Sequence, residues 1–267
     1  MADAPAPQAT RRLGRLERPA LAGVLIREIT NFSSYWRSAT FSSTVDPTIY
    51  LLAFGFGFGS LVSQINGLDY VEFVGTGTVG TAVLFSSVFP AMFSTFVKYQ
   101  FQRTYDAIMA APVDTEELVT AEALWIAMRA ATFGCAPLVV SFMFGLDPRP
   151  AMLLVPLIGF VAGFGWAAFG ITVAAVLKSI DNFSYVISGV ITPIFLVAGT
   201  FFPLSELPRW AQLAAQLNPL YHTVQLVRHA SFGWHGWDDV GHIGALMVFA
   251  LVMWRIAVWR MTIRLID

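Results

Sequence analysis

Four histidines, His222, His229, His235 and His242, lie close together near the C-terminal end of the chain. His222 and His229 are seven residues apart, about two helical turns, a spacing that admits a metal pair. No tight carboxylate cluster completes that pair. The only cysteine, Cys135, excludes an intramolecular disulfide and any Cys-based metal cluster. Surface and interfacial histidines are the simpler reading, so no metal is expected. No GxSxG elbow accompanies the serines, no GxxxxGK[ST] phosphate loop occurs, and no catalytic residue is assigned. The ionisable groups left in or beside apolar stretches are Asp46, Glu122, Arg129 and Asp181. A charge at membrane depth is costly and tends to face a cavity or a partner. Arg129 can pair with Glu122, seven residues earlier, or snorkel to the headgroups. Asp46, followed by Pro47 and Thr48, has the form of a helix start.

The elements that must position these groups follow from composition. Of 267 residues, 56% are hydrophobic and 12% charged, about half the charged share of a soluble domain. A water-soluble globular enzyme and a disordered chain are both excluded. A net charge of −1 gives no basic field for nucleic acid. Six apolar stretches approach the ~20 residues that cross a bilayer core. They are Pro47 to Gln64, Val71 to Val97 with Pro90 inside, Leu124 to Phe144, Ala151 to Leu177, Phe183 to Phe202, and Ile243 to Trp259. With both termini inside, 13 of the 16 basic residues fall on the cytosolic side, leaving Arg149, Arg209 and Arg228 outside. The fold class expected is an all-α polytopic membrane protein with six transmembrane helices.

The remaining segments are not plain linkers. Residues 1–19, rich in Ala, Pro and Arg, read as a disordered cytosolic tail. Leu21, Val24, Leu25, Ile29 and Phe32 then form one helical face, with Arg27, Glu28, Asn31 and Ser34 opposite and Trp36 near the end. This is an amphipathic helix too short and polar to span; it either packs on the rest of the protein or lies at the membrane surface. After the second span, Tyr105, Ile108 and Met109 make a short apolar stripe stopped by Pro112, and Asp114, Glu116 and Glu117 open the next helix. An apolar stripe exposed to the cytosol wants a partner. Pro203 to Arg228, broken by Pro208 and Pro219, reads as an outer re-entrant or surface helix pair. Gly55 and Gly59, and Gly159 and Gly163, form GxxxG pairs that allow close helix approach. Phe54, Phe56 and Phe58 with Tyr50 supply an aromatic face able to contact acyl chains or sugars.

Two stretches resemble a known family. YDAIMAAPV (Tyr105 to Val113), with AEALW (Ala121 to Trp125) after it, resembles the cytosolic loop of ABC-2 type transport permeases. TPIFLVAGTFFPLSELPRWAQLAAQLNPLYHTVQLVR (Thr192 to Arg228) is similar to the outer stretch of the same family, with Ala198 and Asn218 standing where related chains often have Ser and Leu or Asn. The similarity is nearest to the lipooligosaccharide exporter branch, the NodJ-like permeases, with daunorubicin-resistance permeases as near relatives.

The resemblance implies one ABC-2 type transmembrane domain over 20–267, working as half of a transporter. A homodimer would pair with two copies of a cytosolic ABC ATPase, so ATP and Mg belong to that partner and this chain is not an enzyme by itself. The cytosolic coupling helix that docks on the ATPase maps to Tyr105, Asp106, Ile108, Met109 and Pro112. The N-terminal amphipathic interfacial helix maps to Leu25, Ile29, Phe32 and Trp36. An outer gate of re-entrant helices between spans five and six would involve Phe202, Pro203, Trp210, Pro219, Tyr221 and His222. The translocation path is assigned to Tyr50, Phe54, Phe56, Phe58 and Arg129. The function implied is export of a lipid-linked saccharide or similar amphiphile across a bacterial inner membrane, with both termini cytosolic and membrane lipid as surroundings. Competing readings are a drug or small-lipid exporter of the same architecture, an intramembrane lipid-modifying enzyme, and a proton-driven carrier. The enzyme would need paired acids or histidines deep in the spans, and the carrier internal repeats.

Overall fold

A computed structural model describes residues 18–59, 61–62, 64–65 and 67–266. The predicted tail lies outside the described residues except at its last two positions. The chain is an all-α polytopic membrane protein, and among the described residues the one exception to helix is a tiny hairpin. Its first element, α1 (Arg18–Gly59), is a single 42-residue helix. Strands β1 (Gln64–Ile65) and β2 (Leu68–Asp69) follow as an antiparallel pair, Gln64 opposite Asp69 and Ile65 opposite Leu68. Next come α2 (Tyr70–Gln100), α3 (Thr104–Met109), α4 (Thr115–Gly134), α5 (Ala136–Met143) and α6 (Val155–Val176). A shorter apolar helix, Ile180–Leu196, holds α7 (Phe183–Val186), a π-turn (Ile187–Ile191) and α8 (Thr192–Leu196) in continuous succession. The chain ends with α9 (Arg209–Gln216), α10 (Pro219–Phe232) and α11 (Trp237–Ile266).

Among the described residues, four helical segments are long and apolar enough to cross a membrane: Tyr70–Gln100, Thr115–Met143, Pro150–Val176 and Trp237–Leu265. They run alternately up and down. Lys98 at the end of α2 meets Glu122 near the start of α4. Gly75 at the start of α2 abuts Ser141 near the end of α5. Tyr99 donates to the Arg264 carbonyl at the end of α11. The α3 end of the bundle therefore collects the ends of α2 and α11 and the start of α4. The start of α11, about 45 Å away at 1.5 Å per residue, belongs to the opposite end.

Small residues bring the central helices together. A Cβ on Gly163 would lie 3.0 Å from Ala130 Cβ, and one on Gly159 would lie 3.4 Å from Ala131 Cα, so this GxxxG sits at the α4–α6 crossing. Gly170 is tighter: its Cβ would lie 2.8 Å from the Val88 carbonyl oxygen on α2. Trp166, almost fully buried, fills the space beside Phe249 of α11, with ring centroids 4.9 Å apart.

Several expected boundaries move. The amphipathic helix and the first span form one helix, and α1 reads straight through Asp46 and Pro47, so no helix starts there. Packing on both flanks, of Val24 with the α4 residues and of Leu51 with the α2 residues, carries it past a proline that would end an isolated helix. The first stretch does not stay helical to Gln64, which instead enters β1. The third span begins at Thr115 because Asp114 and Glu117 form a capping box there. Pro90 does not break α2. The fifth stretch stays helical only to Leu196, with a π-turn ahead of Pro193, and its last residues leave the helix.

Candidate functional site

At the α3 end, a buried ion cluster ties four helices. Lys98 Nζ donates to Glu28 Oε1 of α1 and to Glu122 Oε1 of α4, each at 2.9 Å. Arg27 Nη1 reaches Glu28 Oε1 at 2.7 Å, and Thr95 Oγ1 donates to Glu122 Oε2 at 3.3 Å. The Tyr105 hydroxyl of α3 donates to Glu122 Oε2. Two carboxylates are thus matched by two cations, which is what a buried ionic group requires. Burial, reinforced by the Glu122 carboxylate, holds the Tyr105 phenol well above its ordinary pKa, so it stays a donor.

This geometry divides the predicted coupling residues. Tyr105 is 1% exposed and faces inward as the anchor of α3, not outward to a partner. Ile108 packs half-buried against the same core, and Met109 is also half-buried. Asp106, Ala107, Ala110 and Pro112 form the exposed side, with Arg103 Nη1 3.4 Å from Asp106 Oδ2. The apolar stripe read as partner-seeking is therefore largely folded back on its own chain, because Tyr105 gains a buried hydrogen-bond partner there.

The α1 face is rotated from expectation as well. Val24 and Glu28 are buried, Leu25 and Phe32 half-buried, and Ile29 and Trp36 exposed. Glu28, read as part of the polar face, sits on the packed one because Lys98 receives it. Phe32 packs edge-on against Trp125 at 5.5 Å, and Arg129 Cζ lies 5.0 Å from the Phe32 ring centroid. Arg129 does not pair with Glu122, which is occupied by Lys98 and Tyr105.

Arg129 instead borders a cleft of about 830 Å³ at the level of the spans. Tyr50 from α1, Thr78, Thr81, Phe85 and Phe89 from α2, Ile191, Thr192 and Phe195 from the π-turn and α8, and Phe201 from the turn beyond α8 line it. Pro90 lines it too; it lacks the N–H that would bond the carbonyl of Ser86, another lining residue. The wall is aromatic and aliphatic, with hydroxyls and one cation. Of the predicted path residues, Tyr50 and Arg129 meet here. Phe54 stands behind, its ring 4.5 Å from that of Phe201. The side chains of Phe56 and Phe58 lie outside the described residues.

At the opposite end, Arg228 of α10 is buried, not exposed on the outer surface. Its Nη2 donates to the carbonyls of Gly199 (2.7 Å), Phe73 (3.2 Å) and Thr200 (3.4 Å). Gly199 has φ +74°, a left-handed turn suited to glycine, and that turn presents its carbonyl to Arg228. Asn218 caps α10 by accepting from the Leu220 N–H and donates to the Ile194 carbonyl, each in normal range at 2.9 and 2.7 Å. Pro203 and Tyr221 line a cavity of about 370 Å³ beside Arg228. Pro219 begins α10, and His222 is half-buried. Phe202 and Trp210 are exposed, and Tyr221 stands against His222 with ring centroids 5.4 Å apart.

Sequence reasoning missed Lys98, Glu28, Arg228 and the α7–α8 wall of the cleft. A signal existed for Glu28, which falls at four-residue spacing between Val24 and Phe32, on the stripe that packs. Arg228 offered none, since its partners are backbone carbonyls brought together by the fold.

Comparison with known proteins agrees with this architecture. Residues 21–232 match the ABC-2 type transporter family. The chain is 29% identical over 236 residues to Nodulation protein J of Sinorhizobium fredii, covering 87% of this chain and 90% of that protein. It is 30% identical over 221 residues to Nodulation protein J of Rhizobium leguminosarum bv. trifolii, covering 81% and 84%. It is 24% identical over 237 residues to the inner membrane transport permease YadH of Escherichia coli, covering 89% and 92%.

Proposed function

We propose that this chain, which belongs to the ABC-2 type transporter family, is the membrane subunit of an exporter that moves a lipid-linked saccharide or similar amphiphile out of the cytoplasm. ATP is hydrolysed by a separate cytosolic ABC ATPase, and two copies of each chain assemble. Residues 20–267 act as one domain of six crossings, with α1 and the shorter helix of α7 and α8 joining the four long spans. Both termini face the cytosol, and the membrane is the inner one of a bacterium.

The observation that carries this reading is the cleft. A largely apolar wall accepts an acyl chain, and Arg129 with Thr78, Thr81 and Thr192 offers a charge and hydroxyls to a polar head. An amphiphile needs both. The ion cluster supports the coupling half of the reading. It fixes α3 to α1, α2 and α4, so a push on the exposed side of α3 reaches three helices at once. Asp106 and Pro112 are the contacts offered to the ATPase.

A drug exporter of the same architecture shares the aromatic wall, and Phe85, Phe89, Phe195 and Phe201 would suit a planar ring. The positive charge of Arg129 disfavours a cationic drug and favours an anionic or neutral head. Co-expression with the ABC ATPases of the same genome, followed by native mass spectrometry in mild detergent, tests the assembly. A 2:2 mass and ATPase activity stimulated by lipid-linked saccharides are expected. A chain that retains no ATPase, or activity stimulated only by cationic drugs, would overturn the reading.

A further inference from the structure

The chain contains four histidines, and the fold draws all of them to the junction of α10 and α11. They divide into two pairs of different character. His222 Nε2 lies 2.8 Å from the Gln216 carbonyl, and its Nδ1 lies 2.7 Å from His242 Nδ1. A carbonyl only accepts, so His222 donates from Nε2 and accepts at Nδ1. Ordinary hydrogen bonding accounts for that pair.

The second pair converges on a carboxylate. His229 Nδ1 lies 2.5 Å from Asp239 Oδ1, and the backbone N–H of His235 donates to Asp239 Oδ2 at 2.5 Å. The His229 and His235 rings are 4.0 Å apart. The His235 ring itself makes no hydrogen bond among the described residues, so hydrogen bonding does not account for its position. One donor atom from each of His229, His235 and Asp239 lies within 4.8 Å of the other two. None of the three lines the cleft.

We propose that His229, His235 and Asp239 form a binding site for a divalent transition-metal ion of the zinc class. Two imidazoles and a carboxylate are a donor set that zinc accepts, with water in the fourth position. Tetrahedral donors about 2.0–2.1 Å from the ion lie roughly 3.3 Å from one another, so on binding the 2.5 Å His229–Asp239 hydrogen bond opens as the ion displaces its proton, and the longest gap shortens. The chain is built to allow it. His235 is exposed, in a short connection where Gly233 and Gly236 adopt φ of +140° and +66°, and it can swing toward the two ligands held on α10 and α11. The ion would cross-link the end of α10 to the start of the last span, at the end of the bundle remote from α3.

The test uses the full chain, purified through a tag without histidine, stripped with a chelator and titrated with ZnCl2 against a chromogenic zinc chelator. One Zn2+ per chain is expected, with a dissociation constant on the order of micromolar or tighter. His235→Ala should weaken binding by more than the roughly 10-fold that loss of a mere orienting partner costs. Because that side chain is exposed, the melting temperature of the metal-free protein should not move. Asp239→Asn should weaken zinc in the same direction, whereas His222→Ala should leave it unchanged. Absence of stoichiometric zinc, equal affinity in wild type and His235→Ala, or an equal loss in His222→Ala would each overturn the assignment.

Discussion

The Tyr105 hydroxyl donates to Glu122 Oε2, and that bond, with the packing of Tyr105 and Ile108 on the same core, fastens the short helix α3 to the start of a long one. A helix of six residues has no independent stability. Its position is set by what it is tied to. Glu122 is in turn held by Lys98 and Thr95 of α2, so α3 moves only with the bundle.

Tyr105→Phe removes the donor and keeps the ring. A hydrogen bond to a charged group contributes about 1.5–3 kcal/mol, and a loss of that order should appear in thermal melts in detergent. The wild-type pH profile follows from the raised phenol pKa. The stabilisation is fully present below the unfolded value of about 10 and is lost as pH rises above it. Tyr105→Phe should flatten that alkaline limb.

Lys98→Gln leaves Glu28 and Glu122 buried without their shared cation. Removing one partner from a buried ion pair costs about 3–5 kcal/mol, so the variant should melt well below wild type. Adding Glu122→Gln should recover part of the loss. If the double variant were less stable than the single one, charge balance would not be the reason for the cluster.

Gly170→Ala would place a Cβ 2.5 Å from Ala91 Cβ and 2.8 Å from the Val88 carbonyl. Overpacking of that kind costs about 1–3 kcal/mol. Gly244→Ala, with nothing within 4 Å, should be neutral or stabilising by roughly 0.5–1 kcal/mol. Comparing the two melts separates helix propensity from the α2–α6 approach.

Arg129→Gln removes the charge at the cleft while keeping polarity. Substrate-stimulated ATPase activity of the assembled transporter should fall through a raised KM, with a melting temperature lowered only by the modest loss of the Phe32 contact, about 0.5–1 kcal/mol. Arg129→Lys should retain more of the response than Arg129→Gln. A response identical in all three proteins would remove Arg129 from the translocation path.

The long spans were legible because about 20 apolar residues in helical register have few alternatives. The spans begun by Val71 and Ala151 start within a residue of their helical segments, Tyr70–Gln100 and Pro150–Val176. What composition hid was pairing. Glu28 reads as polar from its own type, yet Lys98, 70 residues away, makes burial tolerable. The seven-residue spacing of His222 and His229 suggested a pair, whereas His229 meets Asp239 and His222 meets His242. Local periodicity reports which face a residue occupies, and only the fold reports what waits opposite.

The π-turn at Ile187–Ile191 carries one more residue per loop of backbone than an α-turn, and the Thr192 hydroxyl reaches the Ile187 carbonyl across it at 2.9 Å. One residue corresponds to about 100° of helical rotation. Ile191, Thr192 and Phe195 face the cleft with that extra residue in place. Deleting a single residue from the turn would restore α-register and swing one side of the cleft wall relative to the other, with no change in the composition of either. The lining of the cleft is therefore sensitive to chain length at this point, and an insertion or deletion here would recast it in one genetic event where point substitution would need several.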